Sequence, residues 1–188
     1  MSETERLARL ALISGAIGIG KTTVVGRIIE LARARGRTCA GLWSPARVEN
    51  GIKTGIETID LHSGERRLLA RVAAKGTGQR VGRWSFDPAV LAWANDVLAR
   101  AIAARPDLLV VDEIGPLELQ RGGGLAPVLL PLAAGDFPRT LLVVRVWMLD
   151  ELRARLPGLE TAVFAVTTET RNALPEQVLD WLFETPDW

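Results

Sequence analysis

The sequence is poor in the residues that build disulfide scaffolds and zinc sites. It has one cysteine and one histidine in 188 residues. A disulfide framework needs paired cysteines, and Cys39 stands alone in an apolar, strand-like run where we expect a buried structural thiol. His62 lies in a predicted turn without the neighbouring ligands that a metal site needs. These scarcities exclude a disulfide-stabilised domain and a metal centre built on cysteine or histidine.

Long apolar runs and a charge excess are also missing. The chain has no uncharged apolar run of about 18 residues, the length expected of a membrane-spanning helix. Its start, MSETERLARL, is acidic and does not contain the apolar core of a signal peptide. The 23 basic residues nearly balance the 22 acidic ones, which argues against a nucleic-acid partner. We therefore expect a cytoplasmic protein without a membrane partner, and the sequence identifies no protein partner.

What the chain does have is 48% apolar residues, arranged in alternating strand-like and helix-like segments. We expect one domain over residues 1–188. Strands that alternate with helices form a mainly parallel sheet covered on both faces, so the predicted fold is a three-layer α/β fold. The predicted strands are 9–14, 37–43, 107–113, 139–146 and 161–166, and the predicted helices are 21–36, 87–102, 122–135, 149–156 and 174–183.

Residues 44–85 have a different pattern. They lack helical periodicity, and Glu-Asn-Gly at 49–51 and His-Ser-Gly-Glu at 62–65 are typical of hairpin turns. Lys-Gly-Thr-Gly-Gln at 75–79 is predicted to be an exposed loop. We expect a small antiparallel insertion of two to four strands within the parallel sheet.

The stretch GAIGIGKTT contains the P-loop pattern Gly-x-x-x-x-Gly-Lys-Thr between a predicted strand and a predicted helix. Glycines let backbone N–H groups approach phosphate oxygens, and the helix start adds a positive dipole end. Lys21 is expected to reach the β- and γ-phosphates, and the Thr22 hydroxyl to bind Mg²⁺. Thr23 either touches the α-phosphate or only helps to start the helix. The predicted nucleotide-binding residues of the loop are Gly15, Ala16, Ile17, Gly18, Ile19, Gly20, Lys21, Thr22 and Thr23.

A second chemical element is LLVVDEIGPLEL, an apolar strand that ends in two carboxylates. P-loop proteins hold the Mg²⁺ shell with an acid at such a strand end, and Asp112 is predicted to have this role. Side chains alternate along a strand, so Glu113 is expected to point elsewhere and to orient an attacking water. The alternative for Glu113 is a hydrogen bond to the following loop or a salt bridge to an arginine. Glu118 is expected to order the loop or to pair with an arginine.

These residues together resemble a family of small P-loop nucleoside-triphosphatases, known in animals as cancer-related nucleoside-triphosphatases and also found in thermophilic prokaryotes. The matching segments run from about residue 9 to 182 and are GAIGIGKTT, GLWSPARVENGIKTGIETI, VGRWSFDP, VDEIGPLEL and TTETRN. The resemblance implies a RecA-like domain that slowly hydrolyses ATP, GTP and other nucleoside triphosphates with Mg²⁺. It also implies that Arg171 and Asn172 lie near the base, whereas the residues alone are equally typical of a helix start.

The expected function is therefore Mg²⁺-dependent nucleoside-triphosphate hydrolysis, with Lys21 and Glu113 as catalytic residues. Arg145 departs from the family pattern and is either a sensor of the γ-phosphate or a buried or interface arginine. One alternative is a nucleotide or nucleoside kinase, although the segment after Asp112-Glu113 has no arginine in the glycine- and leucine-rich stretch beyond Arg121. The other is a nucleotide-dependent switch or accessory protein with little turnover.

Overall fold

The computed structural model describes residues 8–72, 79–135, 137 and 139–183. Five strands form a parallel sheet in the order β10-β1-β9-β8-β2, and antiparallel strands extend it beyond β2. The strands are β1 (Arg9–Gly15), β2 (Cys39–Trp43), β3 (Ala46–Glu49), β4 (Ile52–Asp60), β5 (Arg66–Val72), β6 (Gln79–Val81), β7 (Trp84–Phe86), β8 (Leu108–Ile114), β9 (Arg139–Val144) and β10 (Glu160–Val166). The predicted α/β fold with a mainly parallel sheet is confirmed.

Helices cover both faces of the parallel sheet. They are α1 (Lys21–Ala34), α2 (Pro88–Ala104), α3 (Pro116–Leu119), α4 (Leu129–Ala133), α5 (Leu149–Arg155) and α6 (Leu174–Phe183). Alternate residues of each strand enter different cores: Ile13 and Val110 pack under α1 and α6, whereas Leu12 and Val111 pack under α2 and α5. This period of two explains why the central strands are apolar along their whole length.

Two predicted elements differ from the structure, and one short helix was not predicted. The strand predicted over 139–146 ends at Val144, and Val146–Met148 form a short 3₁₀ helix. The helix predicted over 122–135 is split into a 3₁₀ turn at Ala126–Val128 and the short α4, because its prolines interrupt the backbone ladder. The four-residue α3 was not predicted, since a single turn is too short to show periodicity.

The antiparallel insertion is present, but with more strands than predicted. Its described residues form five strands, β3 to β7, rather than two to four. The predicted turns at 49–51 and 62–65 do connect β3 with β4 and β4 with β5. The loop predicted at 75–79 lies mostly outside the described residues, and only Gln79 is placed, at the start of β6. The short strands β6 and β7 were missed because three residues are too few to display alternation.

Two further features concern the helices. Helix α2 begins with an N-cap, since Asp87 accepts hydrogen bonds from the backbone N–H groups of Ala89 and Val90, and Pro88 opens the helix. Within the described ranges, no helix has both the length and the apolarity needed to cross a membrane.

Candidate active site

The parallel topology gathers the predicted functional residues at one edge of the sheet. The carboxyl ends of β1, β2, β8, β9 and β10 meet there because these strands run in the same direction. The P-loop follows β1, Asp112 and Glu113 end β8, and residues 167–172 follow β10. Since β9 lies between β1 and β8, these two strands are roughly 10 Å apart, twice the usual strand spacing.

The P-loop has the geometry that phosphate binding needs. Gly18 and Gly20 adopt φ angles of 80° and 104°, a region that side chains with a Cβ rarely enter. Gly20 is the N-cap residue of α1, so the helix dipole points into the loop. Lys21 Nζ lies 2.9 Å from both Gly15 O and Ala16 O. The ammonium group thus stands over the space that the loop encloses.

Trp43, at the end of β2, fixes the first turn of α1. Its Nε1 donates a 2.9 Å hydrogen bond to Thr22 O, and its ring packs against Gly26. A Cβ at position 26 would lie 2.9 Å from Trp43 Cζ2, so only glycine leaves room for the indole. No pattern in the sequence indicates this contact between β2 and α1.

Asp112 and Thr22 come together as a potential cation site. Asp112 is 2% exposed and accepts a 3.1 Å hydrogen bond from the Ser44 backbone N–H. Burial raises the pKa of Asp112 to about 7, while hydrogen bonds from Ser44 and from the Thr22 hydroxyl oppose the rise. Among the described residues, no cationic side chain forms an ion pair with Asp112. A buried carboxylate of this kind next to a hydroxyl fits Mg²⁺, which prefers few protein oxygens together with phosphate and water. In the described part of the chain, no group of three or more His, Cys, Asp and Glu could hold a metal.

The raised pKa of Asp112 predicts a pH-dependent stability for the metal-free protein. The folded state keeps a proton on Asp112 up to about pH 7, whereas the unfolded chain releases it near pH 4. Protonated Asp112 therefore adds to the free energy of unfolding below pH 4. This contribution of up to about 4 kcal/mol is lost as the pH rises towards 7. Asp112→Asn should flatten this decline in the free energy of unfolding, measured by urea titration in EDTA from pH 5 to 8.

Asp107→Asn is the matched control for this titration. Hydrogen bonds from Thr38 hold the pKa of Asp107 below its ordinary value, so this carboxylate stays ionised across the same pH range in both states. The control variant should keep the wild-type slope. If Asp112→Asn also keeps that slope, the buried carboxylate is not the source of the decline.

Glu113 pairs with Arg145. Glu113 Oε1 accepts a 3.0 Å hydrogen bond from Arg145 Nε, and the Glu113 side chain is 36% exposed. Arg145 directly follows β9, so it lies between the P-loop and the acids, and its guanidinium carbon is 5.4 Å from the Trp147 ring centroid. The salt-bridge alternative for Glu113 is therefore observed. No described residue donates to Glu113 Oε2, which leaves this oxygen available to a water.

The loop that follows β8 is held by Glu118. Glu118 Oε2 accepts a 2.8 Å hydrogen bond from Gly115 N, and Oε1 accepts a 3.1 Å bond from Leu125 N. Glu118 is 6% exposed, and burial raises its pKa despite these two bonds. The first alternative for Glu118, a residue that orders the loop, is thus the one observed.

Arg171 and Asn172 lie in the turn before α6 and line a cleft beside the P-loop helix. The cleft has a volume of about 160 Å³ and is also lined by Gly20, Thr23 and Arg27. Arg27 Nη1 donates a 3.3 Å hydrogen bond to Asn172 Oδ1. The helix-start description of the pair is therefore observed, and their nearness to a base stays a prediction.

The parallel sheet with a P-loop at its carboxyl edge defines the class: the fold is that of a P-loop NTPase. Residues 10–179 match the protein family described as NTPase. The chain is 35% identical over 181 residues to the "Nucleoside-triphosphatase THEP1" of Methanopyrus kandleri, covering 92% of this chain and 97% of that protein. It is 33% identical to the protein of the same name from Thermofilum pendens, covering 91% and 93%.

Two solved structures are also similar. THEP1 from the hyperthermophile Aquifex aeolicus has a TM-score of 0.72 at 21% identity, covering 93% of this chain and 99% of that one, and it supports the fold. A human cancer-related nucleoside triphosphatase has a TM-score of 0.71 at 25% identity, covering 96% and 100%. The chain belongs to this family of nucleoside-triphosphatases, which confirms the resemblance drawn from its motifs.

Proposed function

We propose that this nucleoside-triphosphatase hydrolyses several nucleoside triphosphates to the diphosphate and phosphate in an Mg²⁺-dependent reaction at the carboxyl edge of its sheet. The observation that carries the proposal is the buried Asp112 on β8, beside a P-loop in which Lys21 Nζ is bonded to two loop carbonyls and, among the described residues, to no carboxylate. Thr22 and Asp112 would hold the cation, directly or through water. When bound, Mg²⁺ neutralises charge on the phosphate oxygens.

The residues of the loop bind and orient the phosphate chain. The backbone N–H groups of Gly15 to Thr23 surround the β-phosphate, and Lys21 exchanges its two carbonyl partners for oxygens of the β- and γ-phosphates. Burial lowers the pKa of Lys21, and the nearby Glu113 and Asp112 carboxylates oppose this effect. These charges, together with the phosphates, keep Lys21 protonated in the complex.

Glu113 orients the water that attacks the γ-phosphorus. Arg145 holds one carboxylate oxygen, so the other can accept a proton from the water. The water oxygen bonds to the γ-phosphorus as the bond to the β–γ bridging oxygen breaks, and the electron pair leaves with the nucleoside diphosphate. Arg145 acts through Glu113 and is a positioning residue in this scheme.

The base would rest in the cleft lined by Thr23, Arg27, Arg171 and Asn172. All four side chains are exposed, so water competes with any hydrogen bond to the base. A weakly selective base contact supports hydrolysis of ATP, GTP and other nucleoside triphosphates.

The test is phosphate release from ATP, GTP, CTP and UTP with water alone, and then with nucleosides and nucleoside monophosphates added. We expect release from all four with Mg²⁺ and none above background with EDTA, because the γ-phosphate is then unneutralised. The added acceptors should leave the yield of free phosphate unchanged. Transfer of the γ-phosphate to an acceptor would replace hydrolysis by the kinase alternative, and nucleotide binding without turnover would support the switch alternative.

A further inference from the structure

The antiparallel extension places two unpaired cations on one tryptophan. Lys53 Nζ lies 5.2 Å from the centroid of the Trp84 ring, and Arg83 Cζ lies 4.8 Å from it. Tryptophan is the strongest cation–π partner among the side chains, so the indole orders both flexible cations. Among the described residues, neither Lys53 nor Arg83 has a carboxylate within salt-bridge distance. Both charges are thus available to a ligand.

The topology directs this cluster towards the P-loop. Strand β4 runs antiparallel to β2, and Ile59 pairs with Trp43, the last residue of β2. The part of β4 before Ile59, which includes Lys53, therefore projects past the end of β2. This part of β4 lies at the edge of the sheet that carries the P-loop and Asp112. The Asp112 carboxylate accepts a hydrogen bond from the backbone N–H of Ser44, the residue directly after β2.

Electrostatic coupling places Lys53 within range of the catalytic acids. Burial lowers the pKa of Lys53, and Glu113 and Asp112 oppose this effect, while Arg83 and Arg145 reinforce it. Lys53 and Arg145 in turn act on Lys21. Arg145 is committed to Glu113 and Lys21 to the loop carbonyls. Of the two described lysines, Lys53 is the one without a hydrogen bond to a carbonyl or an ion pair with a carboxylate, and it interacts electrostatically with both acids.

We propose that Lys53 is a γ-phosphate-binding catalytic residue, held in place by Trp84 and supplied by the antiparallel extension of the same chain. This inference rests on the proposed function and goes beyond it by assigning a chemical role to the extension. Lys21 approaches the phosphate chain from the loop, and Lys53 approaches the terminal phosphate from above the sheet edge. Its charge stabilises the γ-phosphoryl oxygens as the bond to the leaving diphosphate breaks.

The decisive measurement compares affinity for a non-hydrolysable nucleoside triphosphate with affinity for the diphosphate, in EDTA so that no metal takes part. Lys53→Ala should weaken triphosphate binding roughly ten- to a hundredfold and leave diphosphate binding unchanged, because only the triphosphate has a γ-phosphate. Lys53→Arg should recover most of the difference. Trp84→Leu should change the affinity ratio in the same direction by a smaller factor, since the lysine is kept but not ordered.

Arg66→Ala is the matched control, because Arg66 is an exposed cation of the same extension whose nearest carboxylate, on Glu57, is 4.0 Å away. It should leave both affinities unchanged. An unchanged ratio in Lys53→Ala, or equal losses for both nucleotides, would overturn the assignment of Lys53. The proposed function is tested separately by phosphate release from the wild-type protein, so an active wild type with an unchanged Lys53→Ala ratio refutes this inference alone.

Discussion

Lys21→Ala should reduce phosphate release from every nucleoside triphosphate roughly a hundred- to a thousandfold. The reason is that Lys21 Nζ already stands over the loop, 2.9 Å from Gly15 O and Ala16 O. On binding, the ammonium group would exchange these carbonyls for phosphate oxygens that gain negative charge in the transition state. Alanine removes this charge and puts nothing in its place.

The measurement is Mg²⁺-dependent phosphate release under single-turnover conditions, together with a urea titration of the variant. We expect the free energy of unfolding to change by less than about 1 kcal/mol, since the freed carbonyls at the half-exposed loop can bond to water. Lys21→Arg keeps the charge but not the compact ammonium geometry, and it should remain strongly impaired. A rate near wild type in Lys21→Ala would remove the P-loop from the proposed chemistry.

The sequence predicted the parts of the site that depend on local order along the chain. The P-loop is a contiguous pattern whose backbone conformation is set by its own glycines, so Gly18 and Gly20 are found in the expected left-handed conformations. Asp112 and Glu113 were recognisable because an apolar run ends in two adjacent acids. The parallel sheet followed from alternating periodicities in the same way.

The contacts between distant segments could not be predicted. Arg145 meets Glu113 because β9 lies between β1 and β8, and strand order is not encoded in the periodicity of any one strand. Gly26 fits Trp43 through a packing match between a helix and a strand. Lys53 reaches the edge of the sheet only because β4 runs past the end of β2. Each of these contacts depends on sheet topology and packing, which cannot be inferred from the periodicity of a single sequence.

Glu113→Gln is the second substitution with a large expected effect. It should slow turnover about a hundredfold or more, because an amide is a far weaker proton acceptor for the attacking water than a carboxylate. Nucleotide affinity should stay within about threefold of wild type, since the proposed role involves the water and not the phosphates. Glutamine has nearly the same volume, and its carbonyl oxygen can still accept the hydrogen bond from Arg145 Nε, which is 3.0 Å long in the native pair.

The two interpretations of the Glu113–Arg145 pair differ in what they predict for this variant. If the ion pair only ties the end of β8 to Arg145, the variant should lose some stability, because the charge of Glu113 is removed. It should keep its rate, because the hydrogen bond from Arg145 Nε survives the change. If the second carboxylate oxygen orients water, the rate should fall while the free energy of unfolding hardly changes. Glu57→Gln, on β4 and 4.0 Å from Arg66, is the control for removing a half-exposed carboxylate away from the loop. Single-turnover phosphate release and urea titration of the two variants therefore separate a chemical role of Glu113 from a purely structural one.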